Sequence, residues 1–339
     1  MTDVRPVAVG LTPMETRRDV VLHVATRAEE LGYTALYLAE GWGRDVSVLL
    51  AEVALRTSRI GLGTGVLNVW GRSPGTIAML AASLNELSGG RFVLGLGAGS
   101  PPLAEGLHDV PFHHPVERLG QVTRQVRRLL DGERIVASAP GGERPLRLSL
   151  LPASRIPIQM AALGPRAVRL AGELADAWYP FFLPRSQAKE GLSLLEMGAA
   201  DVAPGRRRPQ FRPGIPVAVS PHPGMAREVA SWWVTFYVTT MGPLYARTLR
   251  NAGFSEAVDA VLGAATEGSK HLPDSARVLL DELTVRGDAA SARAALDGWF
   301  DAGAEMPVIV LPPGRPVDEL DQALEALRPG PREEQRRAL

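Results

Sequence analysis

Residues 84–100 of the chain read LNELSGGRFVLGLGAGS. Within this stretch, residues 92–96 form an apolar run with the length of a buried strand, and a glycine-rich turn follows directly. Glycine has no Cβ, so its backbone amides can approach a flat ring or a phosphate closely. The stretch therefore predicts a buried strand whose end binds a cofactor through Gly97, Ala98, Gly99 and Ser100.

The same glycines suggest a second interpretation, the dinucleotide-binding fingerprint G-x-G-x-x-G/A. The nearest match begins at Gly95 and places Ser100 where the third small residue belongs. Pro101 and Pro102 follow immediately. The fingerprint is therefore not met, and we reject this interpretation.

Short apolar runs alternate with amphipathic segments on both sides of this stretch. Eight runs are typical of buried strands: residues 7–11, 35–39, 60–66, 92–96, 156–161, 177–181, 215–219 and 308–311. Repeated βα units without a Pro/Gly/Ser-rich boundary favour one closed barrel over two doubly wound domains. We predict an α/β fold, a (β/α)8 TIM barrel over residues 1–328, with a polar, frayed tail over residues 329–339.

Two segments exceed what a minimal barrel needs. We predict insertions at residues 135–154, before the fifth strand, and at residues 225–288, before the eighth strand. The longer insertion is mostly helical in pattern. If this insertion follows the carboxyl end of a strand, it is placed to form a lid or a wall of the substrate pocket. The alternative is that it forms a dimer contact.

Composition limits the classes of partner. The chain has 37 basic and 37 acidic residues, so it lacks the charge excess of nucleic-acid or anionic-membrane binders. It has no cysteine, and no metal-ligand spacing occurs. Without a signal-like start or a spanning apolar run, we expect a cytoplasmic protein with a small-molecule substrate, and a homodimer by default.

Functional residues of a barrel lie just after its strands. Gly63 and Gly65 interrupt the third strand, which suggests a strained backbone or close approach of a ligand, with tight helix-to-strand packing as the alternative. After the fifth strand, a helix starts at Gly164-Pro165, where free amides and the helix dipole favour an anion. We therefore predict a phosphate cradle there, with Arg166 either contributing charge or remaining solvated.

Three residues are candidates for handling protons or contacting substrate. Glu40 follows the second strand, although a structural carboxylate that accepts from loop amides is the alternative. Trp42 is a candidate wall of the substrate pocket, and His108 follows the fourth strand with an imidazole suited to proton donation. The helical spacing after residue 114 predicts a solvated face formed by Arg118, Arg124, Arg127 and Arg128.

At these residues the sequence resembles the luciferase-like family, which includes bacterial luciferase, flavin-dependent monooxygenases and coenzyme F420-dependent oxidoreductases. The resemblance is most specific over residues 84–92 and 164–176. It implies a non-prolyl cis peptide at Gly65–Val66 behind the redox ring. It also implies ring or ribityl contacts at Asn68 and residues 97–100, and phosphate contacts at Ala162, Leu163, Gly164, Pro165 and Arg166.

The sequence at residues 39–45 and 68–74 resembles the F420-dependent branch of the family more than luciferase itself. The resemblance therefore implies hydride transfer with coenzyme F420, with an FMN-dependent monooxygenase or a non-catalytic cofactor-binding protein as alternatives. A separate flavin or F420 reductase would be a partner. Relatives acting on sugar phosphates or alcohols carry an Asp-His pair and a Glu where this chain has Glu40, Gly41 and Ser100. Those substrates are therefore in doubt.

Overall fold

The computed structural model describes residues 4–134, 145–266 and 272–331. It is an α/β fold in which a parallel sheet curls around a packed interior. Eight strands of the curl carry numbers here: β1 (Ala8–Leu11), β2 (Ala35–Leu38), β3 (Gly61–Thr64), β4 (Phe92–Gly97), β5 (Ile158–Ala161), β6 (Ala177–Trp178), β7 (Gly214–Val219) and β8 (Val308–Leu311). Each overlaps one of the eight predicted strands.

The helices that accompany these strands each bury an apolar face. Within the described ranges they are α1 (Arg18–Glu30), α2 (Val46–Arg56), α3 (Pro74–Leu87), α4 (Pro115–Leu130), α5 (Pro165–Leu174), α6 (Ala188–Val202), α7 (Pro223–Thr239), α8 (Pro243–Asn251), α9 (Ser255–Thr266), α10 (Val278–Leu283), α11 (Ala289–Asp301) and α12 (Val317–Leu327). Five of them start with proline, whose fixed φ and missing N–H suit the first turn of a helix.

The strands pair in chain order from β1 to β6. Beyond β6, the short strand Gln210–Phe211 pairs with β6, while β7 pairs with β8 and β8 pairs with β1. Only Arg212 and Pro213 separate Gln210–Phe211 from β7, so this segment contacts both ends of the curl. The predicted parallel β/α architecture is confirmed.

The regions outside the simple repeat differ from prediction in detail. Helices α7 to α10 occupy most of the segment predicted as the longer insertion, and an unpredicted strand, Val285–Gly287, pairs with β7. The shorter insertion stays a prediction, because residues 135–144 lie outside the described residues. The tail predicted from residue 329 begins with Gly330–Pro331, which pairs antiparallel with Val4–Arg5.

Two tyrosines fill the interior beside β3. Tyr37 and Tyr179 are buried, and their ring centroids lie 6.0 Å apart. A Cβ on Gly63 would lie 2.9 Å from Cε1 of Tyr37, and a Cβ on Gly65 would lie 2.8 Å from Cβ of Tyr37. The two glycines therefore make room for the Tyr37 side chain of the neighbouring strand, which is packing inside the curl and not the helix-to-strand packing considered from the sequence.

Side-chain hydrogen bonds interlock three neighbouring strands. The Thr64 hydroxyl donates to the Gly95 carbonyl at 2.7 Å and accepts from the Gly95 amide at 2.8 Å. Gln159 Nε2 donates to the Thr64 carbonyl oxygen at 3.3 Å. A Cβ on Gly95 would lie 1.9 Å from that same carbonyl oxygen, so only glycine fits between these two strands.

The arginine of the 84–92 stretch has a structural role. The Arg91 guanidinium donates five hydrogen bonds, to the Ser88, Ala54, Thr57 and Ile60 carbonyls and to the Thr57 hydroxyl. These acceptors lie at the end of α3, at the end of α2 and just before β3. Arg91 therefore satisfies carbonyls that the helix ends leave free, and ties two βα units together.

The predicted solvated face of α4 is wrong for two of its four arginines. Arg127 donates to the Ile156 carbonyl at 2.9 Å and to Asp176 at 3.0 Å, in the join between α4 and the start of β5. The Arg118 guanidinium lies over the indole of Trp70. Arg124 and Arg128 do form half-exposed ion pairs. Helical spacing assigned all four to one face, but long side chains reach sideways into neighbouring elements.

Glu15 links the loops that follow the first and last strands. Its carboxylate accepts from the Arg17 guanidinium at 2.6 Å and from the backbone amides of Arg17 and Gly314 at 3.0 Å each. Burial acts to raise the pKa of Glu15, but the Arg17 side chain and these amides outweigh it, and the pKa lies below its usual value. The carboxylate therefore stabilises the fold above about pH 4.5, and this contribution is lost as the pH falls through the lowered pKa.

We expect Glu15→Gln to reduce the free energy of unfolding at pH 7 by about 1.5–3 kcal/mol, the usual contribution of a hydrogen bond to a charged group. The difference in the free energy of unfolding between the variant and the wild type should become smaller as the pH falls below about 4.5. Urea denaturation at a series of pH values measures both effects. Glu30→Gln, in an exposed ion pair, is the control. A gap that stays constant with pH would show that Glu15 does not contribute through its charge.

Candidate functional site

The bulge after β3 contains the cis peptide bond that the resemblance implied, at Gly65–Val66. Directly after it, Leu67–Asn68 pairs in parallel with β4, so that Asn68 lies opposite Gly97. Gly97 in turn lies opposite Ala161 at the end of β5. The bulge, the glycine-rich turn and the segment before α5 therefore lie side by side at the carboxyl edge of the curled sheet.

The glycine-rich turn fits closely against the bulge. A Cβ on Gly97 would lie 2.5 Å from Cγ2 of Val66, so glycine is needed for the two segments to meet. Gly99 has a φ of 63°, in the left-handed region that side chains rarely adopt. Ala98 is fixed through its carbonyl, which accepts from the Trp70 indole at 2.6 Å. The turn is thus shaped by its own neighbours before any ligand is considered.

Asn68 is the centre of a hydrogen-bond network at this edge. Its Oδ1 accepts from the backbone amides of Trp70 and Gly71, at 3.0 and 2.8 Å. This leaves Nδ2 as the group that faces Glu40 Oε2 and His108 Nε2, each at 3.3 Å. The network therefore brings together Asn68, Glu40 and His108, three residues that the sequence singled out independently.

Glu40 is held by an arginine that the sequence did not single out. Arg72 donates to Glu40 at 2.6 Å and to Asp45 at 2.8 Å, and the Glu40 side chain is only 6% exposed. A carboxylate with both an ion pair and an amide donor is well suited to fixing its neighbours in place. These contacts favour the positioning role of Glu40. Its predicted role in proton transfer stays a prediction.

His108 reaches the network from the segment after β4. It caps a π-helical turn, Pro102–Leu107, and its ring lies against Gly71, where a Cβ would come within 2.6 Å of it. Because Asn68 Nδ2 can only donate, His108 Nε2 is the acceptor in this contact, which leaves Nδ1 as the ring nitrogen that can donate. Trp42, the third catalytic candidate, is 56% exposed and lies outside this network.

The predicted phosphate cradle lies at the start of α5. The Ala162 carbonyl accepts from the Trp178 indole at 2.9 Å, which fixes the loop that leads to Gly164. A Cβ on Gly164 would meet nothing within 4 Å, so open space lies beside the helix start. The Arg166 side chain is 80% exposed and pairs with Glu117. Of its two predicted roles, the solvated one matches its position.

Arg118 is the cation of this region that the sequence analysis assigned to solvent. Its guanidinium carbon lies 5.9 Å from the centre of the Trp70 ring. Its Nε is buried without a hydrogen-bond partner, and no carboxylate in the described part of the chain pairs with it. The adjacent residue, Glu117, reaches Arg166 at the start of α5. Arg118 therefore supplies a positive charge, without an ion-pair partner among the described residues, beside Trp70 and the glycine-rich turn that the Trp70 indole contacts.

Together these residues fit a planar ring with an anionic tail. The Gly65–Val66 bulge and residues 97–99 provide flat backbone, and the open start of α5 and Arg118 provide donors and positive charge. No set of three or more His, Asp or Glu side chains within the described ranges is placed to hold a metal ion. The arrangement supports an organic redox cofactor held by its phosphate end.

Comparison with known proteins agrees with this geometry. The model of the family described as luciferase-like monooxygenase matches residues 6–306. The chain belongs to this family. Among its relatives is a Mycobacterium tuberculosis protein named as a candidate coenzyme F420-dependent oxidoreductase. The two are 29% identical over 336 residues, which cover 92% of this chain and 95% of the relative.

Two solved structures share the fold of this luciferase-like protein. The coenzyme F420-dependent tetrahydromethanopterin reductase of Methanopyrus kandleri superimposes with a TM-score of 0.75 at 21% identity, covering 95% of this chain and 98% of the other. The oxygenating constituent of 3,6-diketocamphane monooxygenase from Pseudomonas putida, in complex with FMN, has a TM-score of 0.72 at 16% identity, covering 95% and 97%. At these low sequence identities, the similarity to the two structures shows a shared fold and nothing further. The family's chemistry makes the chain an oxidoreductase.

Proposed function

We propose that the protein is a coenzyme F420-dependent oxidoreductase that transfers hydride to or from a small organic substrate. Two things support the choice of F420: the sequence pattern around Glu40 and Asn68, and the similarity along almost the whole chain to a relative named for F420. The main support for a redox cofactor of any kind is structural. The Gly65–Val66 bulge, the turn at residues 97–99 and Arg118 lie close together at one edge of the sheet.

When bound, a deazaflavin passes hydride and a flavin can in addition react with oxygen. The chain's own residues position the cofactor and hold the proton. With a cofactor bound, the bulge and Gly97 would back the ring, and the start of α5 and Arg118 would hold its anionic end. Asn68 and Glu40 orient the neighbouring groups, and the Nδ1 proton of His108 is available to a substrate oxygen or nitrogen.

A side-by-side titration tests this proposal. Purified protein is titrated with F420 and with FMN, and binding is followed by cofactor fluorescence. Binding of F420 without FMN is the expected result. Binding of FMN with oxygen consumption in the presence of reduced FMN would favour the alternative, a monooxygenase supplied by a separate reductase. Binding without turnover across a panel of substrates would favour a non-catalytic role, and binding of neither cofactor would contradict all three.

Gly164→Leu is expected to weaken cofactor binding by about tenfold or more, because the side chain would occupy the space beside the helix start. The backbone there has a φ of −78°, which leucine adopts freely, and a Cβ meets nothing within 4 Å. The free energy of unfolding should therefore change little. A cofactor titration and a denaturation curve of the same variant separate the two effects. An unchanged dissociation constant would count against the cradle.

His108→Ala is expected to lower turnover by about a hundredfold, within the usual range for a lost general acid. Glu40→Gln should reduce turnover less, without abolishing cofactor binding, because it weakens the positioning of Asn68 and Arg72. Oxidation of reduced F420 by a panel of carbonyl compounds measures both variants. If the two variants lose turnover equally and share one altered pH profile, Glu40 itself handles the proton.

The partners remain proposals. A homodimer, expected by default, is tested by light scattering of the purified chain. A cytoplasmic location is likewise proposed from the sequence alone. None of the described helices is long and apolar enough to cross a membrane.

A further inference from the structure

The side chain of Asn68 uses every hydrogen-bonding position that it has. Its carbonyl oxygen, Oδ1, accepts from the backbone amides of Trp70 and Gly71 at 3.0 and 2.8 Å. Its nitrogen, Nδ2, carries two hydrogens and has two neighbours, Glu40 Oε2 and His108 Nε2, each at 3.3 Å. An asparagine amide offers two acceptor and two donor positions, so the protein itself takes all four. Asn68 is also buried, with 2% of its surface exposed.

These contacts allow one orientation of the Asn68 amide. Backbone amides can only donate, so the side-chain atom that faces the two of them must be the oxygen. The nitrogen therefore faces Glu40 and His108. Glu40 Oε2, which receives one of the two hydrogens, is held in turn by Arg72 at 2.6 Å. The amide is thus fixed at its oxygen by backbone and at its nitrogen by a carboxylate that cannot turn away freely.

The fixed amide decides which ring nitrogen of His108 can donate. With Nε2 as the acceptor of an Asn68 hydrogen, Nδ1 is the nitrogen left to donate. The ring lies flat against Gly71, where a Cβ would come within 2.6 Å of Cε1, 2.8 Å of Nε2 and 3.0 Å of Nδ1. Nδ1 has no hydrogen-bond partner in the part of the chain that the structure describes. Packing and hydrogen bonding therefore fix the ring and leave Nδ1 for another molecule.

We infer that Asn68 is a positioning residue, which sets the tautomer of His108 and makes no side-chain hydrogen bond to the cofactor. This inference rests on the proposed function, in which His108 supplies a proton. It departs from the resemblance, which implies a ring or ribityl contact at Asn68. Such a contact needs a free donor or acceptor on the side chain, and each of the four already has a protein partner. In the other tautomer, His108 would present an acceptor to the substrate where a donor is needed.

Asn68→Asp tests the inference, because it keeps the shape of the side chain and replaces the donor by an acceptor. The oxygen that then faces His108 favours a hydrogen on Nε2, and Nδ1 loses its own. NMR of isotopically labelled histidine, recorded without cofactor at about pH 9, where a free histidine is neutral, distinguishes the two tautomers. We expect the hydrogen on Nδ1 in the wild type and on Nε2 in the variant. The spectrum of His108→Gln identifies the signals of this ring among those of the six histidines.

Turnover of Asn68→Asp should fall about a hundredfold, as for a lost general acid, because the hydrogen is on the wrong nitrogen. The dissociation constant for F420 should change by less than about threefold, because the side chain does not bind the cofactor. The variant also places a second carboxylate beside Glu40. The matched control is therefore the double variant Glu40→Gln/Asn68→Asp, which keeps the net charge and an amide–carboxylate pair and reverses the bond to His108. It should show the same tautomer and a comparable loss of turnover.

A dissociation constant for F420 that rises about tenfold or more in both variants would show that Asn68 contacts the cofactor, and would overturn the inference. A hydrogen on Nε2 in the wild type, or on Nδ1 in both variants, would also overturn it. So would full turnover after the tautomer has switched. The proposed function fails separately, if neither F420 nor FMN binds. The NMR comparison is made without cofactor, and still decides in that case whether Asn68 sets the tautomer.

Discussion

Arg118→Gln is expected to weaken cofactor binding by about ten- to a hundredfold, the loss that follows when a charged group no longer meets an anion. Arg118 has no carboxylate partner in the residues described by the structure, and its Nε is buried. A guanidinium that is partly withdrawn from water and has no ion-pair partner is a favourable position for binding an anion. The stacking over Trp70 holds its guanidinium beside the turn that the indole fixes through Ala98.

The matched control is Arg124→Gln on the same helix, whose ion pair with Glu173 is half exposed and contributes little. Titration of both variants with F420 and FMN gives the comparison. Because the interaction is electrostatic, the affinity of the wild type should fall with added salt more steeply than that of Arg118→Gln. Equal dissociation constants for the two variants would remove Arg118 from the binding site. A rise in stability of Arg118→Gln without cofactor would support the cost of the unpaired charge.

Gly95→Ala is expected to reduce the free energy of unfolding by at least about 2 kcal/mol, because the added methyl group would lie 1.9 Å from the Thr64 carbonyl oxygen. Backbone, unlike the end of a flexible side chain, cannot move aside cheaply. The two bonds between Thr64 and Gly95, and the Gln159 contact with the same carbonyl, would all be displaced. Cofactor affinity should fall together with stability, because the Gly65–Val66 bulge begins directly after Thr64.

Gly263→Ala provides a control of opposite sign. Gly263 lies exposed in α9, where a Cβ meets nothing within 4 Å, so alanine should stabilise the protein by about 0.5–1 kcal/mol. Urea denaturation of both variants measures the difference. If Gly95→Ala unfolds at the wild-type midpoint, β3 and β4 can separate by more than their hydrogen bonds indicate, and the close fit at this edge is not required.

Much of the architecture could be predicted from local pattern. Buried parallel strands are short continuous apolar runs, and helix starts such as Gly164-Pro165 have their own backbone preferences, so all eight strands and the start of α5 were placed correctly. Strand Val285–Gly287 was missed because it is short and partly polar, and among the described residues it pairs with β7 alone. The pairing of Gly330–Pro331 with Val4–Arg5 is a long-range contact that no local window contains.

The candidate site could be predicted only in part. The glycines and Asn68 follow strands directly, and strand order alone brings them together. The partners of Glu40 could not be inferred in this way, because Arg72 lies in a different βα unit. Arg118 was misjudged because helical spacing gives the direction of a Cβ, whereas its guanidinium lies several bonds further out, over Trp70.

The inserted helices have a hydrophobic core of their own. The buried side chains of α7 to α10 form a cluster that includes only Phe182, Ala218 and Val310 from the strands and the β6 loop, whereas the remaining barrel residues belong to other clusters. Side chains in one core can be exchanged without repacking the other. Under the proposed function, recombining the helical segment between relatives is therefore expected to change substrate selectivity while the cofactor-binding residues stay unchanged.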